Sequence, residues 1–442
     1  MKIPTVRITA ILACTLALNA WCGAAGGAMK KTTDTPAAPV RFAVISDPHL
    51  YNAGLGTSGN AFEGYLAQDP KMLKQSEAIL DSALEMVIQQ NVKFLIIPGD
   101  LTKDGEVIDH VLMAQHLAKL EQHGIQAFVV PGNHDINNPD AVTYLGDTTR
   151  PVANTSPETF RALYQRFGYG QAIARDSASL SYVAEPVPGL WLLAIDSCRY
   201  RDSLALGTPV VGGRISSSTM TWILARLQDA QAQGKQVIAF MHHGVNRHFV
   251  PEPILFPDFL VEDWPGVSAQ LAAAGLKVIF TGHYHSQDAA FPLDGNGIPQ
   301  TTLCDVETSS LVQYPCAFRV VTLEGQALNI HSERITTIDA DTAGLPFQQF
   351  AEQFLRVRLA GIVVQELSQL YGLSEPQAAQ VAPLVVDALV ANYAGDETPS
   401  PQTEATIAWL LSNPAPYSTL GGLLDWLWTD LPPGDNDLDL VL

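Results

Sequence analysis

Residues 94–135 read FLIIPGDLTKDGEVIDHVLMAQHLAKLEQHGIQAFVVPGNHD. The apolar run Phe94 to Pro98 has the length of a buried strand and ends in Gly99-Asp100. Glu106 to His123 carries apolar residues at helical spacing and is stopped by Gly124; Ala127 to Val130 is then a second short strand, delivering Pro-Gly-Asn-His-Asp. Strand, polar loop, helix, strand, polar loop is the order of an α/β fold with parallel pairing. Such sheets gather their sites beyond the carboxyl ends of strands, where both polar loops fall.

The same unit extends in both directions. Upstream, Arg41 to Ser46 is a strand ending in Asp47-Pro48-His49. Leu73, Leu80, Leu84 and Val87 give the helical spacing of the segment from Met72 to Ile88. Tyr51 to Gln68, between them, reads as a long Gly/Asn-rich loop forming a rim or lid. Downstream lie an insertion from Ile136 to Ser177 and a hairpin of Leu180 to Val183 with Leu190 to Ile195. A helix from Ser218 to Gln233 ends at Gly234, and the strand Val237 to Met241 carries His242. Another helix ends at Gly275, Val278 to Thr281 carries Gly282-His283-Tyr284-His285, and further strands fall near Thr301, Phe318 and Leu328.

From about Leu345 the pattern turns helical, over Phe350 to Leu370 and Gln377 to Tyr393, followed by a Pro/Thr loop and the Trp426 to Trp428 segment. Asp435, Asp437 and Asp439 have half the spacing of a calcium loop but lack its central Gly and closing Glu, so they read as a solvated acidic tail. The expected divisions are a signal peptide over 1–28, a linker over 29–40, a catalytic domain over 41–340 and a C-terminal helical region over 345–442.

The signal peptide is read from Lys2 and Arg7, the uncharged apolar stretch Ile8 to Trp21 and the small-residue tract Gly23 to Ala28. The apolar stretch is shorter than the ~20 residues of a membrane-spanning helix, which favours export, periplasmic or secreted, over a retained N-terminal anchor. A lipid on Cys22 is disfavoured by the bulky Trp21. In an oxidising compartment Cys304 and Cys316 are candidates to bridge a hairpin, and Cys198 reads as a small buried hydrophobe. With 442 residues, 47% hydrophobic and 16% charged, the chain has the composition of a folded enzyme. Its net charge of −20 repels nucleic acid and anionic lipid at long range, so a phosphate substrate has to be captured by local positive charge.

Asp47, His49, Asp100, Asn133, His242, His283 and His285 supply that charge by holding metal. Carboxylates, a carboxamide and imidazoles gathered in one place cost several kcal/mol each in desolvation, on the order of magnitude for buried polar groups, unless cations satisfy them. A pair of divalent ions about 3.5–4 Å apart needs a bridging carboxylate, assigned to Asp100. Asp47, His49 and His285 are assigned to the first ion; Asn133, His242 and His283 to the second. Imidazole favours iron, manganese or zinc over magnesium. Two dications less the charges of Asp47 and Asp100 leave a positive centre that traps phosphate and activates water for in-line attack. His134, on the ligand loop but without a metal, is the general acid for the leaving oxygen, with Asp104 its orienting partner. His110, His116 and His123 share one helix and read as packed or solvated, His243 and His248 as loop histidines. Arg199, Arg201 and Arg214 read as surface groups, with a substrate phosphate clamp as the sharper alternative.

The motifs resemble the calcineurin-like metallophosphoesterase superfamily over Arg41 to Ile335. Their form, with Gly-Asp-Leu-Thr at Gly99 to Thr102, looks most like the branch containing class III cyclic nucleotide phosphodiesterases. Purple acid phosphatases usually have Tyr at the position of Lys103 and Glu at that of Asp135, which disfavours that branch; calcineurin-type phosphatases have Asp where Lys103 stands. The resemblance implies a two-sheet βαβαβ sandwich flanked by helices, and a binuclear phosphoesterase acting on a small-molecule phosphate ester, including a phosphodiester such as a cyclic nucleotide. The alternatives are a phosphomonoesterase, or a partner-binding protein with a relict metal site.

Overall fold

The computed structural model describes residues 38–395 and 397–442. The leader expected over 1–28, and the linker up to residue 37, lie outside the described residues. No helix among the described residues is long and apolar enough to cross a membrane.

The strands in chain order are β1 (Val40–Val44), β2 (Phe94–Ile97), β3 (Gln126–Val129), β4 (Val142–Leu145), β5 (Thr148–Pro151), β6 (Ala174–Arg175), β7 (Tyr182–Val187), β8 (Leu190–Ile195), β9 (Gln236–Met241), β10 (Val278–Thr281), β11 (Asp288–Ala290), β12 (Cys304–Glu307), β13 (Ala317–Glu324), β14 (Ala327–Arg334) and β15 (Asp437–Val441). One sheet has the order β15-β14-β13-β1-β2-β3, the other β11-β12-β10-β9-β8-β7-β6, and β4 with β5 makes a separate hairpin. β1, β2 and β3 pair in parallel, as do β8, β9, β10 and β12. Parallel pairing needs crossovers; helices Ser76–Gln89, Val107–Glu121, Ser217–Gln233 and Trp264–Ala273 supply four of them, and the one from β10 to β12 runs through β11.

The two sheets face each other across one core. Phe42 of β1 stacks on Phe94 of β2 with centroids 4.8 Å apart and meets Phe280 of β10 edge-on at 5.8 Å, joining the layers. Each such ring, fully buried, stabilises the fold by about 1.5–3 kcal/mol. β8 shows why its sequence reads as an unbroken apolar run. Leu190, Leu192 and Ala194 pack into the intersheet core while Trp191, Leu193 and Ile195 pack beneath the outer helices with Ile223, Leu227 and Leu271.

Three local expectations are corrected. Tyr51 to Gln68 is no plain loop: Asn60–Leu66 is a helix, and Tyr51, Leu55, Phe62 and Leu66 pack with Leu73 and Tyr144 into a satellite core. Cys304 and Cys316 are free, buried thiols, the first within β12 of one sheet and the second leading into β13 of the other. The acidic tail is a strand. Leu438 and Leu440 join the main core while Asp437 and Asp439 face outward, the period-two pattern of an edge strand, and β15 pairs antiparallel with β14. Between these, helices Phe347–Tyr371, Glu375–Ala394, Pro401–Leu411 and Tyr417–Leu427 build a core of their own around Leu355, Leu359, Val386 and Leu424.

Candidate metal centre

Each expected ligand lies on the turn that leaves the carboxyl end of a strand: Asp47 and His49 after β1, Asp100 after β2, Asn133 after β3, His242 after β9, His283 and His285 after β10. The first four come from one sheet and the last three from the other, so the cluster sits across the seam of the sandwich. Asp47, His49, Asp100, His283 and His285 all have positive φ, between 37° and 78°. A non-glycine residue there costs of order 1–3 kcal/mol and persists only where its surroundings over-determine it. Gly132 and Gly282 permit the close approach. A Cβ on Gly132 would lie 2.1 Å from Asp100 Oδ1, and one on Gly282 would lie 2.2 Å from Asp47 Oδ2.

The expected ligands fall into two groups, and a third set, His49, Asp100 and His134, shares His49 with the first and Asp100 with the second. Asp47, His49 and His285 offer atoms mutually within 4.8 Å, as do Asp100, His242 and His283. Asn133 joins the second group, its Oδ1 lying 2.9 Å from His242 Nε2. Asp100 Oδ2 stands 3.4 Å from His242 Nε2 and 3.7 Å from His49 Nε2, facing both groups. The shell behind them is built to aim them. His242 Nδ1 is 3.1 Å from the Pro98 carbonyl, the His134 amide donates to Asp100 Oδ1 at 2.9 Å, and the His283 amide donates to Asp47 Oδ2 at 3.1 Å.

Electrostatics point to missing positive charge. His49 Nε2 and His285 Nε2 face each other at 3.2 Å, where two imidazolium ions would repel, and burial first, then Lys71, hold His49 well below its ordinary value. Burial opposes ionisation of Asp100, yet the imidazoles of His242 and His134 hold it well below the usual carboxylate range. Burial likewise disfavours a charged His242, but Asp100 outweighs it and carries His242 up to about 9. Both shifts show that positive charge is favoured between the two groups, so the donor set fits a pair of ions.

His134 stands beside the cluster, its side chain 25% exposed where the others are almost wholly covered. Its Nδ1 is 2.8 Å from Asp104 Oδ1, which leaves Nε2 on the side of Asp100 Oδ2, 3.9 Å away. Burial lowers its pKa, but Asp100 and Asp104 together raise it above the ordinary value. The pairing expected of Asp104 is therefore present. Lys103 completes it: this buried ammonium pairs with Asp104, lies 3.8 Å from Glu106 Oε1 and sits 4.3 Å from the centre of the Tyr65 ring.

Two contributors escaped sequence reading. Asp135 is wholly buried and accepts from the amides of Gly132 and Leu101 on one oxygen and from the amide and hydroxyl of Thr102 on the other. It ties the β2 and β3 loops together, which is what the motif's last residue does. Lys71 is 7% exposed, lies 3.1 Å from Asp69 Oδ2, and its charge depresses both His49 and His134.

Two of the histidines outside the set are more enclosed than their loop positions suggest. His243 and His248 are wholly buried: His243 lies between Ser197 Oγ and the Val211 carbonyl, both at 2.8 Å, and His248 Nδ1 is 2.8 Å from Asp288 Oδ1. Arg199 and Arg214 are engaged by Asp202 and Glu262 rather than turned to the centre. His110 is packed, bonded to Tyr164 Oη at 2.8 Å and to the Asp135 carbonyl at 2.9 Å. Burial pushes it down to about 4. An unfolded histidine protonates near 6.5, so between those values the unfolded chain binds the extra proton and stability is lost as pH falls. The difference is about 3 kcal/mol, fully present above pH ~6.5 and gone below ~4. Urea unfolding at a series of pH values is expected to show this loss in the parent and its absence in His110→Gln.

A sequence profile of the calcineurin-like phosphoesterase family matches residues 40–287. Among solved structures, a dimetal phosphatase from Danio rerio aligns with 15% identity and a TM-score of 0.47, covering 67% of this chain and 96% of that one. Purple acid phosphatase PPD1 from yellow lupin seeds aligns with 11% identity and a TM-score of 0.42, covering 67% and 52%. No curated protein matches the chain.

Proposed function

The chain belongs to the calcineurin-like phosphoesterase family, and from that premise we propose that it is a binuclear metal-dependent hydrolase of small phosphate esters. The observation that carries the reading is the pair of donor groups meeting at Asp100 Oδ2, with His134 Nε2 on their accessible side. Asp47, His49 and His285 would hold one ion, Asn133, His242 and His283 the other, and Asp100 would serve both. Ions bound there polarise the phosphoryl oxygens and lower the pKa of water toward neutrality. Iron, manganese or zinc suits the imidazole-rich set.

His134 then delivers a proton from Nε2 to the departing oxygen, while Asp104 fixes the ring through Nδ1 and stabilises the imidazolium before transfer. Lys71, buried and paired with Asp69, adds positive charge that is felt at His49 and His134, where a substrate phosphate oxygen would approach. Lys71→Met is expected to raise KM by roughly 10- to 100-fold with kcat within a few-fold, the worth of one charge-assisted hydrogen bond used in binding. Steady-state kinetics on the metal-loaded variant check this split. We further propose a phosphodiester such as a cyclic nucleotide as substrate, on the form of the motifs, with phosphomonoesters as the second reading. Export is proposed on the N-terminal leader pattern alone.

Stripping with chelator, then adding back manganese, iron or zinc against a panel of nucleotide, cyclic nucleotide, sugar and lipid phosphates, tests the whole. Activity is expected to vanish on stripping and return with one of these metals. Full hydrolysis of an aryl phosphate by stripped protein would overturn it.

A further inference from the structure

A second concentration of oxygen donors lies where the C-terminal helices meet the edge of the first sheet. Glu397 follows helix Glu375–Ala394, Asp430 follows helix Tyr417–Leu427 and Asp435 precedes β15. One carboxylate oxygen from each lies within 4.8 Å of the other two. Glu397 is 8% exposed and Asp435 1%, while Asp430 faces solvent. Three carboxylates so close repel one another, most severely where water is excluded.

An independent sign comes from buried oxygens left without partners. Glu397 Oε1 accepts from Asn392 Nδ2 at 2.8 Å, but Glu397 Oε2 accepts nothing. The side-chain oxygen of Asn392, a residue 3% exposed, is likewise unsatisfied. An orphaned buried acceptor is a standing cost, and here there are two, on Glu397 and on the Asn392 that is bonded to it. Arg319 donates to the Asp435 carbonyl and offsets part of the negative charge, but neither orphaned oxygen accepts from it. Burial, with Asp288 and Asp430 near, pushes Glu397 up to about 9, which agrees. The donor group contains neither imidazole nor thiol, only the oxygens that calcium-class cations take and transition metals do not prefer.

We propose that Glu397, Asp430 and Asp435, with the Asn392 side-chain oxygen, bind a calcium-class divalent cation that fastens the C-terminal helices to the first sheet. The clasp reaches toward the catalytic loops. Asp435 Oδ1 accepts from the Ala289 amide of β11 at 3.0 Å, and the Tyr393 carbonyl accepts from the Gln287 amide at 3.1 Å, two residues after His285. The site stands on its own donors and is independent of the substrate proposed above.

The test is thermal melting of the metal-loaded full chain against calcium chloride, with magnesium chloride as comparison. Calcium is expected to raise the Tm by a few degrees with a midpoint of about 10⁻⁵ to 10⁻³ M, the range of sensor and extracellular sites. Magnesium, which demands tighter geometry and keeps its waters, should do less. Glu397→Gln and Asp435→Asn should each abolish the response, and Glu397→Gln should melt no lower than the calcium-free parent because the amide relieves repulsion. A parent melt indifferent to about 10 mM calcium would overturn the proposal, as would an equal calcium response in both variants. So would stabilisation by acid alone, which would mean that a shared proton fills the gap. Should neither variant fold, calorimetric titration of the parent decides: one calcium per chain supports the clasp, none overturns it.

Discussion

Asp100→Asn is expected to lower kcat/KM by at least about 10⁴-fold, some 5.5 kcal/mol of transition-state stabilisation, and to cut the metal content from about two ions per chain to one or fewer. The substitution preserves shape and leaves an oxygen able to accept from the His134 amide, so the loop need not move. It removes the charge that faces His49, His242 and His134 together. A neutral amide also gives His242 no reason to carry positive charge and gives two cations no shared anion, so their mutual repulsion is unrelieved. Elemental analysis beside steady-state kinetics checks both halves. Retention of two ions with near-parental turnover would dispose of the bridging role.

His134→Ala has a different signature. Metal content and KM should stay near parental values, because Nδ1 is taken by Asp104 and the proposed pair of ions keeps all seven of its ligands. Turnover of an alkyl phosphate should fall by about 10² to 10⁴, the usual worth of positioned acid catalysis. Turnover of a nitrophenyl ester should fall much less, since that leaving group departs without a proton. The divergence between the two substrates is the diagnostic. An equal loss on both would assign His134 to binding or structure, and no loss on either would remove it from the mechanism.

Much of the architecture is legible in the chain because parallel strands buried on both faces announce themselves as apolar runs. The strands that end at Ile97, Val129, Met241 and Thr281 lie within a residue or two of where the sequence places them. Their polar endings were legible for the same reason, since nothing in a core calls for Asp100 or His283. What stayed hidden depends on distance in space. Lys71 belongs to no motif, and its importance arises only when the segment after helix Asn60–Leu66 folds back to the centre. Asp135 was visible as a motif letter, but its task of gathering backbone amides from two loops has no signature in residue type. His248 sits among Asp288, Asp305 and Glu307, partners brought from strands 40 to 59 positions away, so from sequence it is one more loop histidine. β15 was missed because two leucines alternating with aspartates are too few to outweigh the charge around them.

The origin of the seven donors in two different layers has a mechanical consequence. On the proposed assignment each ion would take ligands from both sheets, Asp47 and His49 with His285 for one, Asn133 with His242 and His283 for the other. Each would then act as a rivet through the sandwich, and its binding free energy would add directly to the resistance of the layers to shearing apart. Catalytic competence and cohesion would be lost together, so chelated protein should begin to open along this joint, with amides of β2 and β9 exchanging before those at the far edges.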